Sequence, residues 1–180
     1  MSNPLPEERT GQLTWGGSPL TLLGRVVHVG EKAPEFTLVG KGFKPVTLAD
    51  SAGTTRLLSV IPSLDTGICD AQTRKFNEIA ADYAEGVTII TISAEHPFNQ
   101  RRWCGAAGIK NMEVLSDHMD MNFGNAYGTY IKEMRLDQRA IFIIDKDDII
   151  RYIEYLPEIA AHPDYEAALR AMEEVLRQDA

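Results

Sequence analysis

Two apolar runs, RLLSVI (56–61) and VTIITIS (87–93), enclose a stretch with helical periodicity. This pattern constrains the fold more than any other feature. Each run has strand length and is continuous rather than alternating, as expected for a strand buried on both faces. Between them, CDAQTRKFNEIAADYA (69–84) places Phe76, Ile79, Ala80 and Tyr83 on one helix face. The spacing predicts a helix there. HPFNQRRWCGAAG (96–108) suits a short helix ending at Gly105 or Gly108, and MDMNFGNAYG (119–128) suits another. AIFIID (140–145) and IIRYIEYL (149–156) read as two strands joined by a tight turn. PDYEAALRAMEEVLRQ (163–178) reads as a final helix with Pro163 in its first position. LTWGGSPLTL (13–22) reads as a β-hairpin around Gly-Gly, with FTLV (36–39) and PVTL (45–48) as short strands. This order implies an α/β fold: a mixed central sheet with helices on both faces, of which the thioredoxin-like fold is one solution.

The 180 residues, 44% of them hydrophobic, are expected to form a single domain over 1–180, with residues 1–11 a flexible N-terminal extension. The polar start, MSNPLPEERTGQL, carries no apolar signal segment, and no run approaches membrane-spanning length. A soluble cytoplasmic protein is the expectation, with no membrane partner. The net charge of −8 and the lack of a long basic cluster argue against a nucleic-acid partner. Two cysteines in a reducing compartment are either inert thiols or redox-active ones.

Cys69 lies at a strand-to-helix junction, in PSLDTGIC (62–69). There, unpaired N–H groups and the helix dipole favour a thiolate. Thr66 can set a hydroxyl beside the sulfur, and the Pro62 ring can shield it from water. A small buried hydrophobe is the alternative for Cys69. Cys104, in WCGAAG (103–108), is either a buried thiol near a helix end or a partner that condenses with an oxidised Cys69. Arg139 opens an apolar strand, as a surface charge or as a cation aimed at Cys69. The chain has no CxxC, and its four histidines lack zinc spacing. A cysteine hydrolase would need His96 or His118 as the base near Cys69. No cofactor or metal is implied.

P-x-x-x-T-x-x-C, filled by Pro62, Thr66 and Cys69, resembles the peroxiredoxin active-site motif. PSLDTGICDAQTRKFNEIA, SAEHPFNQRRWCGAAGI, LSDHMDMNFGNAYG and HPDYEAAL are similar to the thiol peroxidase branch of atypical two-cysteine peroxiredoxins, from about residue 12 onward. The resemblance implies a thioredoxin-like fold and a thiol peroxidase acting on hydrogen peroxide and organic hydroperoxides. It gives Cys69 the peroxidatic role and Cys104 the resolving role, through an intramolecular disulfide. Pro62, Thr66 and Arg139 become the frame of the site. It also implies a homodimer and a thioredoxin-type reductant. One departure is YIKEMRLDQRA (130–140), where many members carry a Gly-Pro-Leu-rich loop. That change bears on peroxide preference rather than on thiol chemistry. A redox sensor using the same disulfide, or a thioredoxin-fold domain with inert thiols, are the competing classes.

Overall fold

The computed structural model describes residues 6–83 and 85–179. In chain order the strands are β1 (Glu8–Trp15), β2 (Ser18–Leu23), β3 (Thr37–Val39), β4 (Pro45–Thr47) and β5 (Thr55–Val60). Helix α1 (Gly67–Asp82), β6 (Val87–Ser93), α2 (Pro97–Ala107), β7 (Glu113–Ser116) and α3 (Asn122–Tyr127) follow. The chain then forms β8 (Tyr130–Ile131), β9 (Leu136–Asp137), β10 (Ala140–Ile144), β11 (Ile150–Tyr155) and α4 (Tyr165–Asp179). A seven-stranded sheet runs β11-β10-β5-β6-β7-β3-β4, with β5, β6 and β7 parallel. A smaller antiparallel sheet runs β1-β2-β8-β9.

The continuous apolar runs are buried on both faces, as their composition demands. Every residue of β5 and of β10 is buried. Leu57, Ile89, Ile141 and Ile143 face Phe76 and Ile79 of α1 and Met172 and Val175 of α4. Leu58, Val60, Ile92 and Phe142 face Phe36, Phe123 and Tyr127 on the other side. Each such side chain contributes about 1.5–3 kcal/mol of burial before entropy is counted. The parallel β5–α1–β6–α2–β7 run brings the starts of α1 and α2 to the carboxyl end of the sheet, where open α/β folds place their chemistry.

Local signals account for the helix ends. Pro97 sits at the first position of α2, and His96 Nδ1 accepts from Phe98 N at 3.4 Å. Gly108, at φ 69°, ends that helix in the left-handed conformation open to glycine, whereas Gly105 lies within it. Helix α1 starts at Gly67, before Cys69, and Ala84 lies outside the described residues. Pro163 does not open α4. Asp164 Oδ1 accepts from Ala167 N at 2.9 Å, so Asp164 is the cap and Tyr165 the first helical residue.

The hairpin is longer than the sequence suggests. Residues 8–11, expected to be part of a flexible extension, belong to β1, with Glu8 opposite Leu23 and Arg9 opposite Leu22. Residues 1–5 lie outside the described residues. The polar ERTGQ segment pairs through its backbone, with an irregularity between Arg9 and Leu13 and Gly11 at φ 75°, and so carries no alternating pattern. The short strands β7, β8 and β9 were also not expected from hydropathy.

Candidate active site

Past β5, Ile61 continues the parallel ladder, donating to Ile92 O at 3.0 Å. Proline at position 62 is buried and has no N–H, which releases the chain from the sheet. A turn over 63–66 follows. Glu95, just beyond β6, braces it: its carboxylate accepts from Ser63 Oγ at 2.9 Å, Leu64 N at 2.8 Å and Ser93 Oγ at 3.2 Å. Thr66, in extended conformation, then opens α1, and its carbonyl accepts from Asp70 N at 2.9 Å.

Cys69 occupies the first turn of α1 and has 0% exposure. Its sulfur sits in a small apolar cluster with Ile61 and Leu64, covered by Trp103 and Val114. Arg139, 1% exposed at the start of β10, approaches from the neighbouring strand. Its Nη2 donates to Cys69 Sγ at 3.3 Å and to Ile159 O at 3.1 Å. Its Nη1 donates to Gln72 Oε1 at 2.7 Å, and Gln72 Nε2 donates to Ser59 Oγ at 2.8 Å. Because a guanidinium has only donors, this chain of bonds fixes the orientation of the Gln72 amide. Arg139 Nε is buried and has no partner among the described residues. A cation in contact with a helix-start sulfur, with one donor unmet, suits a thiolate and an incoming oxygen acceptor.

Cys69 and Arg139 thus come together, while Pro62 lies buried just past β5. Thr66 differs from expectation: it is exposed, and its hydroxyl donates to Ser63 O at 3.2 Å instead of bonding the sulfur. Cys104 lies in the last turns of α2, half-buried, and both cysteines are free thiols. Burial, with a smaller push from the charge of Glu95 and an opposing backbone hydrogen bond, moves the Cys104 thiol up to about 11. Its helix is clasped to α1. Arg74 lies 5.5 Å over the Trp103 ring, pairs with Asp70 at 2.9 Å and donates to Ala107 O at 3.3 Å. Asn77 Oδ1 accepts from Lys110 N and Asn111 N, both at 3.1 Å.

Sequence reasoning missed Gln72, Arg74 and Glu95. Gln72 carried a signal: it falls three residues after Cys69, on the face that α1 buries. Arg74 carried only its i,i+4 spacing from Asp70, since its contacts to Trp103 and Ala107 cross to α2, and Glu95 carried none. His96 and His118 meet edge to face, with ring centres 4.9 Å apart, and neither bonds a cysteine among the described residues. Among those residues, no group of three or more His, Cys, Asp or Glu side chains could hold a metal ion.

The Redoxin family profile matches residues 28–169. A thiol peroxidase of Halalkalibacterium halodurans is 52% identical over 164 residues, covering 91% of this chain and 98% of that protein. A thiol peroxidase of Bacillus subtilis is 48% identical over 166 residues, covering 92% and 99%. A crystal structure of a peroxiredoxin-like protein from Aquifex aeolicus superposes with a TM-score of 0.85 at 33% identity, covering 92% and 98%. The fold is therefore the thioredoxin-like fold of peroxiredoxins, and the chain belongs to the Redoxin family and, within it, to the thiol peroxidases, enzymes that reduce peroxide with a thiol.

Proposed function

We propose that Cys69 is the peroxidatic nucleophile, Cys104 its resolving partner, and a thioredoxin-type dithiol the reductant. The observation that carries this reading is Arg139 Nη2 at 3.3 Å from Cys69 Sγ, with the neighbouring Nε unpartnered. The Cys69 thiolate attacks one peroxide oxygen and the O–O bond breaks. The other oxygen leaves with a proton as water or alcohol, and Cys69 becomes a sulfenic acid. Arg139 and the first-turn N–H groups of α1 stabilise the charge on the departing oxygen. Pro62 limits water at the sulfur. Thr66 shapes the turn through Ser63, and its hydroxyl serves a bound hydroperoxide only after turning from Ser63 O. The Cys104 thiol then attacks the sulfenic sulfur, water leaves, and a Cys69–Cys104 disulfide forms. Thiol–disulfide exchange with the external dithiol returns both thiols.

A cytoplasmic location supports this cycle, because a reducing compartment supplies the dithiol. No helix among the described residues is long and apolar enough to cross a membrane. A homodimer follows from the family reading. Phe43, Phe98 and Met119, which are 48%, 61% and 70% exposed, give a second copy an apolar group to cover.

The test is Arg139→Leu, which keeps volume but removes the cation. Oxidation of Cys69 by one equivalent of peroxide, followed by chemical quench, should slow by about 100-fold. An unchanged rate, in a variant whose fold circular dichroism finds intact, overturns the assignment of Arg139. Running hydrogen peroxide beside an alkyl hydroperoxide, with a thioredoxin system, gives the preferred substrate.

A further inference from the structure

Two carboxylates lie inside the protein where β9 leads toward β10 and α3 begins. Asp137 is 0% exposed and Asp117 2% exposed. Asp117 is matched by donors: Oδ1 accepts from Phe123 N at 3.0 Å and Oδ2 from Gly124 N at 2.8 Å. Asp137 is not. Its Oδ1 accepts from Thr129 Oγ1 at 2.8 Å, while Oδ2 is buried with no partner among the described residues. Both carboxylates close on Gly124, since a β-carbon there would lie 2.8 Å from Asp137 Oδ1.

No ion pair reaches Asp117 or Asp137 among the described residues. The charged groups around them are Asp120, which adds repulsion at Asp117, and Arg135, which relieves it. Arg135 directs its Nη2 to the carbonyls of His118 and Met119, at 2.7 and 3.1 Å. His118 faces the Ser116 hydroxyl. Arg139 faces Cys69 and Gln72. Two buried carboxylates that both adjoin Gly124, with no ion pair on either among the described residues, can become a donor and an acceptor when one carries a proton. Asp137 Oδ2 is the oxygen with nothing else to bond.

We propose that Asp137 is a positioning residue of the peroxidase site: as a neutral acid its Oδ2 hydroxyl donates to Asp117, fixing the strand end from which Arg139 reaches Cys69. The inference rests on the reading of Arg139 given above. The intervening backbone is already held, with Gln138 N on Thr129 O at 2.6 Å and Gln138 Nε2 on Leu156 O at 2.8 Å. The buried acid bond anchors the residue before it. Burial, then the charge of Asp117, push Asp137 well above the usual carboxylate range, against a smaller pull from Thr129. Burial also raises Asp117, to about 6, while the Gly124 and Phe123 N–H groups pull it down. The proton therefore belongs on Asp137. A group raised in the folded state stabilises fully below its unfolded value of about 4, and that contribution is lost as pH rises through the folded value. Alkali, not acid, should release this anchor.

Infrared spectroscopy of the reduced protein at neutral pH tests the proton directly. A neutral-acid carbonyl band is expected in the wild type and should be lost in Asp137→Asn. Its absence from the wild type, or its persistence in that variant, overturns the proposal. The kinetic readout is single-round oxidation of Cys69 in a Cys104→Ser background, followed against pH. Asp137→Asn keeps a donor, so it should keep the neutral-pH rate and lose the alkaline decline of the wild type. Asp137→Ala leaves Asp117 and Thr129 unmet and should slow oxidation by about tenfold at neutral pH. Equal behaviour of the two variants, or an alkaline decline that survives in Asp137→Asn, also overturns it. If Asp137→Ala fails to fold, the wild type and Asp137→Asn decide alone. Failure of the Cys69 reading would appear as peroxidase activity in Cys69→Ser, a result independent of the infrared band.

Discussion

Cys69→Ser should abolish peroxide consumption with a thioredoxin system, a loss of at least about 10⁴-fold. A serine hydroxyl is barely ionised at neutral pH, and oxygen cannot take up and release a peroxide oxygen as sulfur does. The fold should survive. The site is fully buried, the change is nearly isosteric, and Arg139 Nη2 remains there to donate to the new hydroxyl. The expected stability cost is therefore about 1 kcal/mol. Turnover close to the wild-type rate in a folded Cys69→Ser protein would sink the nucleophile assignment and the cycle built on it.

Cys104→Ser should separate the two halves of that cycle. One equivalent of peroxide should still be consumed, and intact mass should rise by one oxygen at Cys69. Turnover with thioredoxin should fall by about 100-fold or more, because the chain's two cysteines leave no other internal thiol. Excess peroxide should then add a second oxygen, giving the sulfinic acid. Unchanged turnover would mean that an external thiol resolves Cys69 and that Cys104 is structural. The state of Cys104 indicates what limits the wild-type step. A thiol raised to about 11 is ionised in roughly one molecule in ten thousand at neutral pH. Buried in α2 it is a poor nucleophile, so on the proposed cycle opening the end of that helix should speed closure of the disulfide. The Arg74–Trp103 contact and the Asn77 bonds oppose that opening.

The buried strands and α1 were legible because burial on both faces writes itself into composition. Pro97 and Gly108 marked α2 because each fits only one end of a helix. Cys69 and Arg139 were candidates on position and charge, but their contact depends on β10 pairing antiparallel with β5, a register that no local pattern encodes. The first half of β1 was missed because a polar edge strand gains from backbone pairing rather than from apolar alternation. Glu95 was missed for a related reason: its partners Ser63 and Leu64 come from a different βα turn. Thr66 was assigned from its place before Cys69 and then from the motif, and neither says where a hydroxyl rotor points. Asp137 is the hardest case. It sits in RLDQR, a segment rich in charge, yet its carboxyl is wholly enclosed.

The clasp between α1 and α2 gives the molecule an optical gauge. Of its two tryptophans, Trp15 stands 55% exposed at the hairpin tip, while Trp103 adjoins Cys104, covers the cluster around Cys69 and lies beneath Arg74. On the proposed cycle, a Cys69–Cys104 disulfide should change the surroundings of that indole, which adjoins both cysteines. Emission from Trp103 should therefore shift with each oxidation and return on reduction, above a steady background from Trp15. Trp103→Phe should erase the change and Trp15→Phe should leave it, so unlabelled protein can be followed through its cycle by fluorescence alone.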